Sequence, residues 1–317
     1  MPRSWTTTAS RLTRRRTLAG MGAAATTLSL GIPARRASAQ EATPGVAPDG
    51  IEQETGVMYG EADGEHLLLD VARPPARDKP RPAVVLLHGG AWMVGTADRT
   101  SMSEPAATLA ADGYVTFNVD YRLTGDPARE HRWPAQLDDA QRAVRWVRAN
   151  ADHYGVDPER IGAYGHSAGG HLASLLGVRD TRDQSDADLA GLSSRVNAVV
   201  TIAGHLDLDI PYPGEFDRQS LAALLGGTPE EVPEAYQDAS PITWVDTASA
   251  PFLIIHGAVD PMNPVAHARH MTDALHEAAV EVVSVEMPRG DHFSVAEWSV
   301  AGPWTRTFFE TVLHPER

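Results

Sequence analysis

The sequence contains no cysteine. Disulfide bonds, thiol nucleophiles and cysteine-ligated metal sites are therefore excluded, because each of them needs a thiol side chain. A chain without cysteine folds equally well in reducing and in oxidising surroundings, so this absence leaves the compartment open. It restricts the chemistry of the protein and not its location.

Acidic residues are missing from the first 39 positions, and basic residues are scarce in the rest of the chain. Residues 1–39 contain seven arginines and no Asp or Glu. Without them, 20 basic residues remain against 42 acidic ones, a formal charge of about −22. A surface with this charge repels nucleic acid and anionic membranes, so neither is expected as a partner.

Residues 1–39 predict an export signal. Residues 15–19 (Arg-Arg-Thr-Leu-Ala) resemble a twin-arginine motif, a mild apolar run covers 18–32, and 37–39 (Ala-Ser-Ala) suit signal peptidase. The run is too short and too mild to span a bilayer stably, so no membrane anchor is expected. We predict cleavage after Ala39 and a periplasmic or extracellular location. A disordered basic tail or an organellar transit peptide is the alternative.

The rest of the chain predicts a flexible lead-in, 40–50, and one α/β domain, 51–317. Short apolar runs alternate with helix-like segments, which favours a mostly parallel sheet with helices on both faces. The predicted strands are 67–71, 83–87, 114–119, 160–164, 197–203, 252–256 and 282–287, and the predicted helices are 133–150, 171–178 and 304–313. Residues 205–248 form the longest irregular segment, and a loop of that length is often functional.

Residues 165–169 (Gly-His-Ser-Ala-Gly) follow a predicted strand and precede a predicted helix. In this setting the G-x-S-x-G pattern indicates a sharp turn that raises Ser167 above the sheet as a nucleophile. Small residues must flank such a turn to avoid collision, and Gly165 and Gly169 meet that need.

A serine hydroxyl needs a base to take its proton and an acid to orient the base. His292 follows the last predicted strand, and Asp260 follows the strand before it, so both are expected at the same sheet edge as Ser167. Asp207 and Asp209, which follow an earlier strand, are rival acids. Asp291 is interpreted as a solvated loop cap.

Residues 88–92 (His-Gly-Gly-Ala-Trp) come directly after a central strand and offer closely spaced amides. We predict that the amides of Gly90, Ala91 and Ala168 bind the oxyanion, and that Gly89 permits the turn. Trp92 either forms a pocket wall or packs beneath this loop, and His166 is expected to line the pocket.

Several other polar residues are interpreted as structural. The predicted core histidines are His88, His171 and His256, and residues 120–122 (Asp-Tyr-Arg) predict a buried network behind the oxyanion loop. His267 and His270 have a spacing compatible with a metal, but a solvated helix face is favoured. No metal and no cofactor is expected.

Taken together, these motifs resemble the α/β-hydrolase superfamily, and within it the hormone-sensitive-lipase-like and BD-FAE-like (acetylxylan and feruloyl esterase) bacterial branch. The resemblance covers about 55–315 and includes 88–92, 120–123, 165–170, 239–241 and 256–260. It implies a metal-free carboxylic ester hydrolase with a small lid or none. Ala91 departs from the usual third glycine, and Asp291-His292-Phe293 departs from the usual His-Gly-Phe.

The leading hypothesis is therefore a serine esterase that acts through an acyl-enzyme on short-chain, acetyl or feruloyl esters, either small or polymer-linked. Amide hydrolysis, as in an arylformamidase or a peptidase, uses the same machinery and is the first alternative. A non-catalytic binding protein on a hydrolase scaffold is the alternative from another class.

Overall fold

The computed structural model describes residues 44–46, 50–75, 79–93, 99–125 and 131–314. The predicted export signal and most of the predicted lead-in lie outside the described residues. The described part carries one sheet of nine strands in the order β1-β2-β3-β5-β4-β6-β7-β8-β9. The strands are β1 (Pro44–Val46), β2 (Glu52–Ala62), β3 (Glu65–Arg73), β4 (Arg81–Leu87), β5 (Val115–Val119), β6 (Val156–His166), β7 (Ala198–Ile202), β8 (Phe252–Gly257) and β9 (Val282–Met287).

The strands that lead into the predicted site are parallel to one another. Strands β4 to β9 all run in one direction, whereas β1, β2 and β3 pair in antiparallel fashion at one side. The carboxyl ends of β4, β6, β7, β8 and β9 consequently meet at one edge. The segments that leave this edge carry every residue predicted for the site.

Continuous apolar runs form the central strands, as the sequence predicts, because both faces of the sheet are covered. All residues of β4, β5, β7 and β8 are buried. Side chains in β4 alternate between the two faces: Val85 and Leu87 join one core cluster, and Val84 and Leu86 join the other. Truncating such a side chain, for example Leu86→Ala, should cost about 2–5 kcal/mol of stability.

Helices cover both faces of the sheet. They are α1 (Ser103–Ala111), α2 (Ala135–Ala149), α3 (Ala151–Tyr154), α4 (Ala168–Val178), α5 (Glu215–Leu225), α6 (Pro233–Ala239), α7 (Ala266–Glu277) and α8 (Trp298–Leu313). Apolar side chains of α2, α4 and α7 pack on one face, and those of α1 and α8 pack on the other. The predicted stripe on α2 is buried as expected: Leu137, Ala140, Val144 and Val147.

The predictions were wrong at two helix starts and for one segment, and strand β6 begins at Val156 rather than at 160. Helix α8 begins at Trp298 rather than at 304 and tolerates Pro303, whose side chain is exposed, inside the helix. Helix α4 begins at Ala168, directly after Ser167, rather than at 171. The segment 205–248 is not irregular, because it contains α5, which Gly226 ends in a left-handed conformation, and α6, which Pro233 begins.

No helix in the described ranges combines the length and the apolar character that crossing a membrane requires.

Candidate active site

Ser167 lies on a sharp turn between β6 and α4. Its backbone has φ 56° and ψ −120°, a conformation that costs a non-glycine residue about 1–3 kcal/mol. The turn is held by the Ser167 amide, which donates to the Ile202 carbonyl at 2.9 Å. A Cβ atom on Gly165 would lie 2.2 Å from the Gly169 carbonyl oxygen, and one on Gly169 would lie 2.0 Å from the Leu87 oxygen. Both positions therefore require glycine.

A continuous hydrogen-bonded chain joins the three residues predicted as nucleophile, base and acid. His292 Nε2 lies 2.9 Å from Ser167 Oγ, and His292 Nδ1 lies 2.8 Å from Asp260 Oδ2. All three side chains are buried or nearly so. An imidazole in this position can accept the serine proton at Nε2 while the carboxylate holds the proton on Nδ1.

Asp260 is held in place by its own loop. Its Oδ1 accepts hydrogen bonds from the backbone amides of Met262 at 2.9 Å and Asn263 at 2.8 Å. Burial by itself would raise the pKa of Asp260, but the hydrogen bond and charge of His292, together with these two amides, lower the pKa below its ordinary value. Asp260 therefore stays ionised and able to orient His292.

The rival carboxylates lie elsewhere. Asp207 Oδ2 lies 2.8 Å from Nδ1 of the exposed His270, and Asp207 Oδ1 accepts the backbone amide of Asp209 at 3.2 Å. Asp291 Oδ1 accepts the amides of the two residues that follow His292 in the same loop, at 3.1 and 2.8 Å. Asp291 is thus placed as a loop cap, and neither Asp207 nor Asp209 has a hydrogen bond to the base.

The loops that carry Asp260 and His292 are hydrogen-bonded to each other. The Val259 amide donates to the Gly290 carbonyl at 3.1 Å, and the Ala258 amide donates to the Met287 carbonyl at 2.9 Å. A Cβ atom on Gly257 would lie 2.2 Å from the Gly290 oxygen, so the two segments are in close contact. This contact fixes the separation of Asp260 and His292.

His166 supports His292 and lies beside Ser167. Its Nε2 donates to the backbone carbonyl of His292 at 2.9 Å, and the two rings lie 4.9 Å apart. Burial and the neighbouring His292 lower the pKa of His166 to about 4, so the ring is neutral near pH 7. It also lines the cavity, as the sequence predicts, and its contact with His292 adds a role that the sequence does not show.

The loop after β4 has an unusual backbone. Gly90, Ala91 and Trp92 have φ values of 116°, 53° and 58°, and the Met93 amide closes the turn on the Gly90 carbonyl at 3.0 Å. Gly90 and Ala91 line the cavity next to Ser167, while Ala168 begins α4. A Cβ atom on Gly89 would lie 3.0 Å from the His166 carbonyl oxygen, which explains the glycine at this position.

Tyr121 braces this loop from behind. Its hydroxyl donates to the His88 carbonyl at 2.7 Å, and its ring stacks on His88 at 4.4 Å. Arg122 makes a buried bidentate ion pair with Asp139, in which Nε donates to Oδ2 and Nη2 donates to Oδ1. The predicted buried network therefore contains Tyr121 and Arg122. The prediction for Asp120 was wrong, because its carboxylate is 39% exposed and pairs with Arg99 at 3.4 Å.

The remaining histidines are mostly structural. His171 Nε2 donates to the Ala239 carbonyl at 2.7 Å, and His256 Nε2 donates to the Asn263 carbonyl at 2.9 Å. The prediction of a solvated face was wrong for His267. Its side chain is fully buried because the segment after β7 covers α7, and its Nδ1 accepts the Asp207 amide at 3.1 Å. Within the described ranges, no cluster of three His, Asp or Glu residues could hold a metal ion.

A cavity of about 490 Å³ opens at Ser167 and His292. Trp92 is both a wall of this cavity and a packing residue, since its buried ring lies 5.2 Å from that of His171 and 4.9 Å from that of His205. The rest of the wall comes from two sets of elements. The segment after β7, helix α5 and the acid loop contribute His205, Phe216, Asp217, Ser220 and Met262, whereas the segments around α1, β6 and α8 contribute Ser101, Glu104, Tyr164, Glu297 and Trp298.

The cavity residues on α5 were not predicted from the sequence. Phe216, Asp217 and Ser220 lie within the segment that was interpreted as irregular. Apolar and small residues at Ser220, Leu221 and Leu224 recur at helical spacing, and this signal could have revealed the helix and its inward face.

Known proteins are similar to most of the part of the chain that the structure describes. The family model described as BD-FAE matches residues 69–275. Esterase LipC of Mycobacterium tuberculosis is 35% identical over 254 residues, which cover 78% of this chain and 61% of LipC. The chain thus spans about three fifths of the length of this curated relative.

Two solved structures are similar over most of the described fold. A truncated carbohydrate esterase from gut microbiota has a TM-score of 0.72 and 26% identity, covering 85% of this chain and 99% of that one. An esterase of Thermogutta terrifontis, Est2, solved with butyrate bound, has a TM-score of 0.68 and 25% identity, covering 83% of this chain and 96% of that one.

Proposed function

We propose, from the premise that this chain belongs to the BD-FAE family and has the predicted α/β-hydrolase fold, that it hydrolyses carboxylic esters with Ser167 as nucleophile. The observation that carries the proposal is the hydrogen-bonded chain from Asp260 through His292 to Ser167 at the cavity. Family membership alone would not carry it, because one fold hosts many functions.

In the first half of the reaction, Ser167 Oγ attacks the ester carbonyl carbon while His292 Nε2 takes the serine proton. The carbonyl oxygen becomes an oxyanion, and the amides of Gly90, Ala91 and Ala168 are the donors proposed to stabilise it. Loss of one such donor typically costs about 3–4 kcal/mol in the transition state. When the C–O bond breaks, His292 returns the proton to the leaving alcohol and the acyl group stays on Ser167.

In the second half, water attacks the acyl-enzyme. His292 takes a proton from the water, and the tetrahedral intermediate expels Ser167 Oγ, which regains a proton from His292. The products are a carboxylic acid and free enzyme. Asp260 remains ionised throughout and stabilises the imidazolium form of His292.

We propose short acyl groups, including those carried on carbohydrates, as the substrate class. A cavity of about 490 Å³ accommodates a small ester with part of its alcohol. One similar structure is a carbohydrate esterase, and another is an esterase with bound butyrate. Our proposal extends these two descriptions to the substrates of this chain.

A fluorophosphonate probe tests the nucleophile. The probe should label the wild-type protein and the Ser299→Ala variant, whose exposed serine lies on α8, but not Ser167→Ala. The turnover of p-nitrophenyl acetate should fall at least about 10⁴-fold in Ser167→Ala. If folded wild-type protein remains unlabelled, the non-catalytic alternative replaces this proposal.

Substrate class is tested by parallel turnover. We expect kcat/KM for p-nitrophenyl acetate, butyrate and acetylated xylan to exceed that for N-formylkynurenine and for a peptide amide. A decisive preference for the formamide or the peptide would assign the chain to amide hydrolysis instead.

We also propose export through the residues 1–39 signal, on the strength of the arginine pair and the Ala-Ser-Ala pattern. In a host with an active twin-arginine pathway, the exported protein should begin at Gln40. Exchange of Arg15 and Arg16 for lysine should retain the precursor in the cytoplasm. Unchanged export of the double variant would refute the twin-arginine route.

A further inference from the structure

The cavity contains two buried polar side chains for which the proposed mechanism has no use. Asp217 on α5 is 7% exposed and His205, in the segment after β7, is 4% exposed, and both line the cavity that opens at Ser167. Burying a carboxylate is unfavourable unless it gains a partner. A pocket for a purely apolar acyl group would not need either side chain.

One ring nitrogen of His205 is hydrogen-bonded within the protein, and the other can bind a ligand in the cavity. Its Nδ1 lies 2.9 Å from the Tyr212 hydroxyl, and its ring packs 4.9 Å from Trp92. No atom in the described part of the chain forms a hydrogen bond with His205 Nε2. Burial and the neighbouring histidines lower the pKa of His205, so the ring is neutral and Nε2 either donates or accepts one hydrogen bond.

Asp217 is likewise left with acceptor capacity. It lies in the first turn of α5, where one carboxylate oxygen packs against Gly214. No other side chain in the described ranges forms a hydrogen bond or an ion pair with it. Burial raises the pKa of Asp217, and the residue lines the same cavity as Ser167 and His292.

We propose that Asp217 and His205 form a hydroxyl-binding subsite, so that the enzyme prefers esters that carry a hydroxyl group close to the scissile bond. A hydroxyl group can donate to the Asp217 carboxylate and, with its lone pairs, accept from His205 Nε2. An ammonium group can only donate, and an alkyl group would leave both side chains desolvated and unpaired. This inference rests on the proposed ester hydrolysis and adds the chemical class of the group that the site selects.

The test compares matched esters. Methyl 3-hydroxybutyrate is measured against methyl butyrate and methyl 3-aminobutyrate, which places the hydroxyl on the acyl half. The pair 2-hydroxyethyl acetate and propyl acetate places it on the alcohol half. We expect wild-type kcat/KM to favour the hydroxylated ester at least about tenfold in one of the two series, since a site built for a hydroxyl rejects the analogue that lacks it.

Variants separate the subsite from general effects on the fold. In Asp217→Leu, and to a smaller extent in Asp217→Asn, the preference for the hydroxylated ester should fall about 10- to 100-fold, the range for a lost hydrogen bond to a charged group. His205→Gln should also reduce it. Gln219→Ala, at an exposed position on the same helix, is the matched control and should keep the wild-type ratio. Thermal unfolding of each variant confirms that it is folded.

The outcomes distinguish the two proposals. If p-nitrophenyl acetate is hydrolysed but neither ester pair shows a preference, or if Asp217→Leu keeps the wild-type ratio, the hydroxyl subsite is refuted and the esterase proposal stands. The best rate on the amino ester would assign the subsite to a cation and overturn the hydroxyl reading. Absence of labelling and of all ester turnover refutes the proposed function and this inference with it.

Discussion

Replacement of Asp260 by asparagine should invert the proton arrangement on His292. The amides of Met262 and Asn263 point at Oδ1 of Asp260 and need an acceptor there. In Asp260→Asn the side-chain oxygen must occupy that position, which turns the NH₂ group towards His292 Nδ1. Nδ1 then becomes the acceptor, and the proton of the neutral ring moves to Nε2, where it faces Ser167 and blocks general-base catalysis.

The magnitude follows from this loss of the correct tautomer. A catalytic triad with the wrong tautomer loses about 10⁴-fold in kcat, or about 5.5 kcal/mol of transition-state stabilisation. The fold should be little affected, since the variant keeps the size of the side chain and both amide bonds. The assay is kcat for p-nitrophenyl acetate at pH 7.5, together with ¹⁵N shifts that report which ring nitrogen of His292 carries the proton.

Asp291→Asn is the matched control for this experiment. Asp291 adjoins His292 in sequence but lies exposed as a loop cap, so its variant should retain most of the activity. A decrease of less than tenfold in Asp260→Asn, with the proton still on Nδ1, would refute the assignment of Asp260 as the orienting acid.

Three further predictions concern the support of the site. Gly169→Ala should destabilise the protein by at least about 3 kcal/mol and abolish turnover, because its Cβ would lie 2.0 Å from a backbone oxygen. The control Gly227→Ala meets only side chains at 3.2 Å or more and should be tolerated, so equal unfolding midpoints for the two variants would contradict this prediction. Tyr121→Phe removes the hydrogen bond from the Tyr121 hydroxyl to the buried carbonyl of His88 and should cost about 1–3 kcal/mol in urea unfolding. An unchanged midpoint would show that this bond does not support the loop. Burial lowers the pKa of His171 to about 4, so the unfolded chain binds more protons than the folded protein below pH 6.5. The free energy of unfolding should therefore fall by up to about 3 kcal/mol between pH 6.5 and 4, and His171→Gln should reduce this pH dependence. A wild-type free energy of unfolding that stays constant over this range would disprove the prediction.

The sequence predicts the central part of the fold well because the pattern there is local. Residues 83–87 are uninterrupted and apolar, and a strand with this composition must be covered on both faces. Gly165 similarly reports a backbone constraint that acts within five residues, because a Cβ atom there would meet the Gly169 carbonyl oxygen. Both signals can be interpreted without knowing what packs against them.

The positions that the sequence misplaces depend on distant parts of the chain. His267 and His270 are three residues apart on α7, yet only His267 is buried, because the segment after β7 covers that side of the helix. Asp217 is acidic and would be expected in solvent, but the position of α5 turns it into the cavity. The export signal and the domain boundaries remain predictions, since residues 1–39 lie outside the described ranges.

Because β4 to β9 are parallel, the opposite edge of the sheet carries none of the described residues of the site. Short connections such as 278–281, between α7 and β9, lie there, and Ala279 is exposed with a left-handed backbone. A fused carbohydrate-binding module can be introduced at this connection without disturbing a described residue of the site. The molecule is therefore suited to attachment on a surface through this connection, with its cavity facing away from the support.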